Sequence, residues 1–187
     1  MTGMQKEKGD KACQATPCEA AQRQNLRAEV YNDPKMGSKF FAVGNTDLLA
    51  EPLLGLIASR ACPGHVLLET LARVPEWVKA GRVIVSGFHS PLEQQVLHSV
   101  LRRKGRAVKV LARGMSDYYR TTAEEREPLA AGRMLVLTAC PPEVRRTTRE
   151  TAVARNRLVL TLASEIVAPY VADDSPLAVL LNERRSA

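Results

Sequence analysis

Residues 82–98, Arg-Val-Ile-Val-Ser-Gly-Phe-His-Ser-Pro-Leu-Glu-Gln-Gln-Val-Leu-His, constrain the chain more than any other stretch. Val83, Ile84 and Val85 form a β-branched run without polar alternation, the pattern of a strand covered on both faces. Ser86 and Gly87 interrupt it. Ser90-Pro91-Leu92-Glu93 then spells a helix start: the serine caps free amides, the proline fits the first helical position, and the glutamate closes a capping box. A strand, a small-residue turn and a capped helix leave unpaired N–H groups at the strand's carboxyl end, a geometry suited to anions and above all to phosphate. The same residues also describe an ordinary βα turn, so this stretch alone leaves a ligand open.

The rest of the chain repeats the theme. Strands are expected at 40–43, 53–58, 107–111, 134–138 and 166–171, and helices at 66–79, 91–104, 122–131, 148–162 and 176–183. Such alternation predicts an α/β fold, a three-layer, mostly parallel sheet with helices on both faces. Right-handed crossovers place the ends of strands 53–58, 83–85, 107–111 and 134–138 on one edge, where ligands bind in sheets of this kind. Ser59, Arg60, Ser86, Gly87, Phe88, His89, Gly114 and Ser116 should converge there. Residues 1–38 read as an arm ahead of a domain at 39–187. The arm is polar and Gly-broken, with one expected helix over 19–30 that carries Leu26 and Val30 at i, i+4 and stops at Asn32-Asp33-Pro34. It has too few apolar residues for a core of its own.

At 187 residues, 45% of them hydrophobic, the chain is long enough for one packed domain. No apolar run approaches the length of a membrane span, and the first ten residues lack the apolar core of a signal peptide, so a cytoplasmic location is expected. Cys13, Cys18, Cys62 and Cys140 have no metal-ligand spacing and read as free thiols; no metal or cofactor is expected. The formal charge is +7, and between Arg102 and Arg157 there are 14 Lys or Arg against 6 Asp or Glu. The remainder is near neutral. A cationic excess confined to one part of the chain points to a polyanion, or else to a solvated arginine-rich face.

Several segments resemble the Rossmann-like domain of the DNA processing protein DprA (Smf) family. Phe40-Phe41-Ala42-Val43-Gly44-Asn45, Leu48-Leu49 and Leu56-Ile57-Ala58-Ser59-Arg60 are similar to that family's apolar strand ending in Gly-Asn or Gly-Asp, its Leu-Leu pair and its strand ending in Gly-Ser-Arg. Ser86 and Gly87 match the start of its Ser-Gly-x-Ala-x-Gly-Ile-Asp motif, with Leu92 and Glu93 in the last two places. Ala107 to Met115 is similar to the next strand and Gly turn, and Arg155-Asn156-Arg157-Leu158 to its Arg-Asn-Arg segment. The order holds from about 40 to 172. Ala58 replaces a family glycine, His89-Ser90-Pro91 replaces Ala-x-Gly, and no Ser-Gly-Ser segment follows the last strand. The resemblance implies a Rossmann-like domain that binds single-stranded DNA without catalysis, acts in natural transformation by passing DNA to the RecA recombinase, and is commonly a homodimer.

The candidate phosphate or nucleic-acid contacts are Ser59, Arg60, Ser86, Gly87, Phe88, His89, Ser90, Arg113, Gly114, Arg145, Arg146, Arg149, Arg155, Asn156 and Arg157. Arg60, at a strand end, suits bidentate phosphate binding or a surface ion pair. Ser86 and Gly87 are backbone donors or simply a tight turn. His89 is a ligand contact, an acid–base group or a polar turn residue. Glu93 is a cap or a ligand-facing carboxylate. Arg155 and Arg157 lie two apart on a helix and diverge by about 200°, so one is expected to meet an anion and the other to make an ion pair. Arg145 and Arg149 at i, i+4 suit a phosphate backbone or a solvated face. Phe88, Tyr118 and Tyr119 are candidates for base stacking. Two other functions fit the same residues: a nucleotide sensor, and a nucleoside-monophosphate phosphoribohydrolase in which Glu93 is the one evident carboxylate.

Overall fold

The computed structural model describes residues 25–34 and 37–186. In chain order the strands are Asn25–Arg27 (β1), Glu29–Asn32 (β2), Lys39–Gly44 (β3), Leu53–Leu56 (β4), Val83–Ser86 (β5), Arg106–Val110 (β6), Tyr118–Arg120 (β7), Met134–Thr138 (β8) and Glu165–Val167 (β9). The helices are Gly64–Lys79 (α1), Pro91–Arg102 (α2), Ala123–Ala130 (α3), Arg149–Leu162 (α4) and Pro176–Arg185 (α5). Seven strands build the central sheet in the order β2-β3-β8-β6-β5-β4-β9, while β1 and β7 pair separately. From β8 to β9 all pairings are parallel; β3 runs antiparallel to β8, and β2 antiparallel to β3.

The apolar runs of the parallel strands bury both of their faces. Leu54, Leu56, Ile84 and Ala107 pack against Val74 and Trp77 of α1 and Leu92, Val96 and Val100 of α2. Their neighbours Leu53, Val83, Val85, Val108, Val110, Leu135 and Leu137 point the other way, toward Val159 and Ala163 of α4. This alternation along each strand is what fixes the register. α1, α2 and α3 carry the chain stepwise across one face, and α4 returns it over the other to β9 beyond β4. Adjacent strands whose following segments leave to opposite faces are β6 with β8 and β4 with β9, and ligand crevices in such sheets open outside these points.

Two expectations fail. Where the expected 19–30 helix falls on described residues it is strand, with β2 in register from Glu29 opposite Ala42 to Asn32 opposite Lys39. Leu26 and Val30 lie on no common helical face. Leu26 packs beside Tyr119 and Leu129, so pairing gives this short segment the core that helix formation could not. Residues 25–32 thus join the domain begun at 39; residues 1–24, with Cys13 and Cys18, lie outside the described part. The last strand is shorter than 166–171, because residues beyond Val167 turn to meet the β4 end, where Ser59 N–H donates to the Tyr170 carbonyl (3.0 Å).

Candidate nucleic-acid interface

The β5–α2 turn satisfies itself. The Ser86 hydroxyl, fully buried, accepts the Phe88 amide (3.1 Å). Ser90 caps α2, and Glu93, 4% exposed, reaches back to the amides of His89 (2.8 Å) and Ser90 (3.3 Å). Its other oxygen accepts the Ala58 amide at 3.0 Å and thereby ties the end of β4 to α2. The amides of Phe88, His89 and Ser90 are therefore occupied by the protein's own oxygens. Glu93 is a cap and cross-strand tie, and it also lines the cleft beside the turn. Phe88 is also displaced from its expected place: it adopts φ +48°, which turns the ring inward to 5% exposure among the α1–α2 core residues. That conformation is costly for a non-glycine residue, and burial of the ring offsets it.

Arg155 brings a positive charge to this turn. It projects from α4 across the end of β5, and its guanidinium lies so close over Gly87 that any Cβ there would overlap it. Gly87 is thus a close-approach glycine more than a donor. Arg155 is 6% exposed, and its Nε donates to Asn156 Oδ1 (2.8 Å). Among the described residues its two terminal nitrogens have no hydrogen-bond partner, and no carboxylate pairs with it. Burial pulls its pKa down, against the opposing attraction of Glu93. Glu93 is thus its nearby negative charge, without a direct bond to it, and an anion hydrogen-bonded to the terminal nitrogens would further offset the cost of burial.

A cleft of ≈370 Å³ opens beside it, lined by Ser59, Arg60, His89, Arg149, Arg155 and Asn156, with the single carboxylate Glu93, over a mainly apolar floor of Ala58, Val153 and Leu177. Arg60, exposed at the mouth, places Nε (3.3 Å) and Nη2 (3.0 Å) against His89 Nε2, which suits an imidazole that accepts at that nitrogen. Burial first, then the positive charges of Arg155 and Arg60, push the His89 pKa below its ordinary value, with Glu93 opposing. The Ser59 hydroxyl accepts the Ala172 amide (3.0 Å) and holds the segment before α5 to the rim. Thr148 and Ser175 cap α4 and α5, whose first turns face the same cleft. The Ser175-Pro176 start of α5 was a legible helix signal, but its arrival at this cleft needed the topology.

The remaining expected contacts lie elsewhere. Arg157 points to α5 and pairs with Glu183 (3.0 Å), the ion pair expected of one member of the Arg-Asn-Arg segment. Arg145 and Arg146 are exposed in the loop before α4; Arg149 is the first residue of that helix, so Arg145 and Arg149 share no helical face. Arg113 and Gly114 follow β6 and line a second cavity on the same rim. Tyr119 is buried with its hydroxyl on Glu125, which leaves Tyr118 as the exposed aromatic. Among the described residues no group of three or more His, Cys, Asp or Glu is placed to hold a metal ion, and no helix is long and apolar enough to cross a membrane.

A doubly wound sheet with a cationic carboxyl rim defines the molecule as a Rossmann-like α/β domain. The chain belongs to the DNA recombination-mediator protein A family, which it matches over residues 19–175. Its fold is similar to that of DNA processing protein A (DprA) from Streptococcus pneumoniae, with a TM-score of 0.65 and 23% identity over 79% of this chain and 52% of that one. It is equally similar to DNA processing protein A from Helicobacter pylori, whose structure concerns a single-stranded DNA binding mode: TM-score 0.65 and 21% identity over 86% of this chain and 78% of that one. The chain therefore spans about half the length of the S. pneumoniae protein. No curated protein sequence matches it.

Proposed function

We propose that this protein binds single-stranded DNA at the carboxyl rim of its sheet, through phosphate contacts and without catalysis. The observation that carries the proposal is Arg155, buried beside the cleft with its terminal nitrogens unpartnered. A phosphate seated there would meet Arg155 from the floor, Arg60 and Arg149 from the mouth, and Asn156 from the side. Ser59, Ser86, Gly87, His89, Ser90 and Glu93 shape the wall and hold those cations in place. The apolar floor suits a sugar or base beside the phosphate, and the volume falls within the range of small-ligand pockets. Glu93 is bound by backbone amides, which suits a structural part better than proton transfer. A part in DNA uptake or recombination, delivery of the strand to RecA recombinase and a homodimeric state extend the proposal on the strength of the family.

Fluorescence anisotropy with a labelled oligonucleotide across a salt series tests it. Affinity should fall with salt, with a log–log slope of about −0.7 per phosphate contacted. Arg155→Met should weaken binding about thirtyfold, the loss of charge-assisted hydrogen bonds worth roughly 2 kcal/mol. Absence of binding at low salt, or affinity indifferent to salt, would overturn the proposal. Tight binding of free nucleotides with none of oligonucleotides would make the site a sensor, and release of free base from nucleoside monophosphates would make it an enzyme.

A further inference from the structure

The cavity after β6 lies on the same rim as the Arg155 cleft but is built differently. It measures ≈450 Å³ and is lined by Arg113, Gly114, Ser116, Tyr118 and Arg120, above buried Met115 and Tyr119. No acidic residue lines it; Glu125 lies beneath, its carboxylate taken by Tyr119, Lys109 and the Thr122 amide. The sequence alternation in β7 makes the surface. Tyr119 points to the core, so Tyr118 and Arg120 stand together on the open side. β1 pairs antiparallel with β7, Leu26 opposite Tyr119 and Arg27 opposite Tyr118, and so pins the strand.

The other wall is equally fixed. Gly114 sits so tightly against the Pro141 carbonyl that no side chain fits, and its amide donates to the Val144 carbonyl (2.7 Å). The buried Thr138 hydroxyl donates to the Arg113 carbonyl at 2.8 Å. On this rigid frame Arg113, Tyr118 and Arg120 are exposed, and none makes a side-chain hydrogen bond or ion pair among the described residues. The position is the β6–β8 crevice, where segments leave to opposite faces of the sheet.

We infer that this cavity is a second nucleotide subsite, in which Tyr118 stacks a base while Arg113 and Arg120 take the flanking phosphates. An aromatic ring between unpaired guanidinium groups is the surface that single strands use without reading sequence. The inference rests on the DNA-binding proposal above and extends it. Neighbouring strands are about 4.8 Å apart, so a short single strand can run along the rim from the first cleft to the second. The protein would then favour polynucleotides over mononucleotides, which reach only one subsite.

The test uses the full chain and a labelled oligodeoxythymidine of about 12 nucleotides, within the site sizes of single-strand binders. Arg113→Ala with Arg120→Ala should weaken binding about tenfold and make the log–log salt slope shallower by about 1.4, two phosphates' worth. Tyr118→Leu should cost about tenfold and Tyr118→Phe almost nothing, as stacking requires. All three residues are exposed, and unchanged thermal melting of each variant confirms an intact fold. If the double variant keeps the wild-type slope and affinity while Arg155→Met loses them, the second subsite is overturned and the first cleft stands. If the wild-type protein binds no oligonucleotide, both are overturned.

Discussion

The first cleft and the second cavity each stand on a buried glutamate three residues into a helix, and the two glutamates do different work. Glu93 of α2 gathers backbone amides from two loops. Glu125 of α3 also takes one amide, from Thr122 (2.9 Å), but its main partners are side chains, Lys109 Nζ at 2.6 Å and the Tyr119 hydroxyl. In both places a motif that advertises a free helix N-terminus has filled it from within. On the proposed function, phosphate contacts therefore fall to arginines more than to backbone amides. Arg155 is buried and held by packing in the first cleft, whereas Arg113 and Arg120 are exposed on a braced strand and turn in the second.

Removing the two glutamates should separate these roles most sharply. Glu125→Ala leaves Lys109 largely buried without its partner and should cost about 3–5 kcal/mol, read by urea denaturation. Burial favours protonation of Glu125, but Lys109, Thr122 and Tyr119 together hold its pKa below the ordinary carboxylate value. Its contribution to stability is thus present above about pH 4.5, the unfolded value, and lost as pH falls through the lower folded one. Glu125→Gln should flatten that acid limb. Glu93→Ala leaves backbone amides of both loops unpaired and should cost about 2–3 kcal/mol, with oligonucleotide affinity falling as well because Arg60 and His89 lose their footing. Equal losses from both changes, with affinity untouched by Glu93→Ala, would break the contrast.

Arg155→Met should have the opposite sign on stability. Replacing a buried cation that makes no direct ion pair by an apolar chain of similar length is expected to leave the fold equally stable or about 1 kcal/mol more so, while binding is lost. Calorimetric melting with and without oligonucleotide measures both halves of that exchange; a marked drop in melting temperature would make Arg155 a structural residue.

The smallest effect concerns His89, set among Arg60, Arg155 and Glu93. Its pKa lies below the ordinary histidine value, so the free protein holds it neutral near pH 7. A phosphate nearby would raise that pKa, so binding takes up a proton. Affinity should accordingly rise a few-fold as pH falls toward the lowered His89 pKa of the free protein, and His89→Asn should remove the rise. A second-subsite variant such as Arg120→Ala should retain it.

Much of the fold was legible because its causes are local. The β-branched run at 83–85, the capping serine at 90 and the alternation of apolar elements each depend on near neighbours in sequence, and they placed Arg60 and the Ser86 turn on one rim. What stayed hidden depends on distant partners. Gly87 read as a turn residue because nothing in its surroundings reveals that Arg155, sixty-eight positions later, lies over it. Phe88 read as a surface aromatic because a positive φ on phenylalanine has no sequence signal. Leu26 and Val30 fit a helical period by coincidence, and only the open edge of β3 and the ribbon with β7 decide that they are strand.

The ribbon of β1 with β7 carries one further consequence. Three residues at 25–27 pair with Tyr118, Tyr119 and Arg120 outside the seven-stranded sheet, and Leu26 also packs on the cluster that holds Val43, Met134 and Val136 of that sheet. A cut just ahead of Ala28 would therefore take from Tyr118 and Arg120 their partner strand and uncover one side of that cluster. If Tyr118 and Arg120 hold a strand as proposed, this short ribbon is where that hold is most easily loosened.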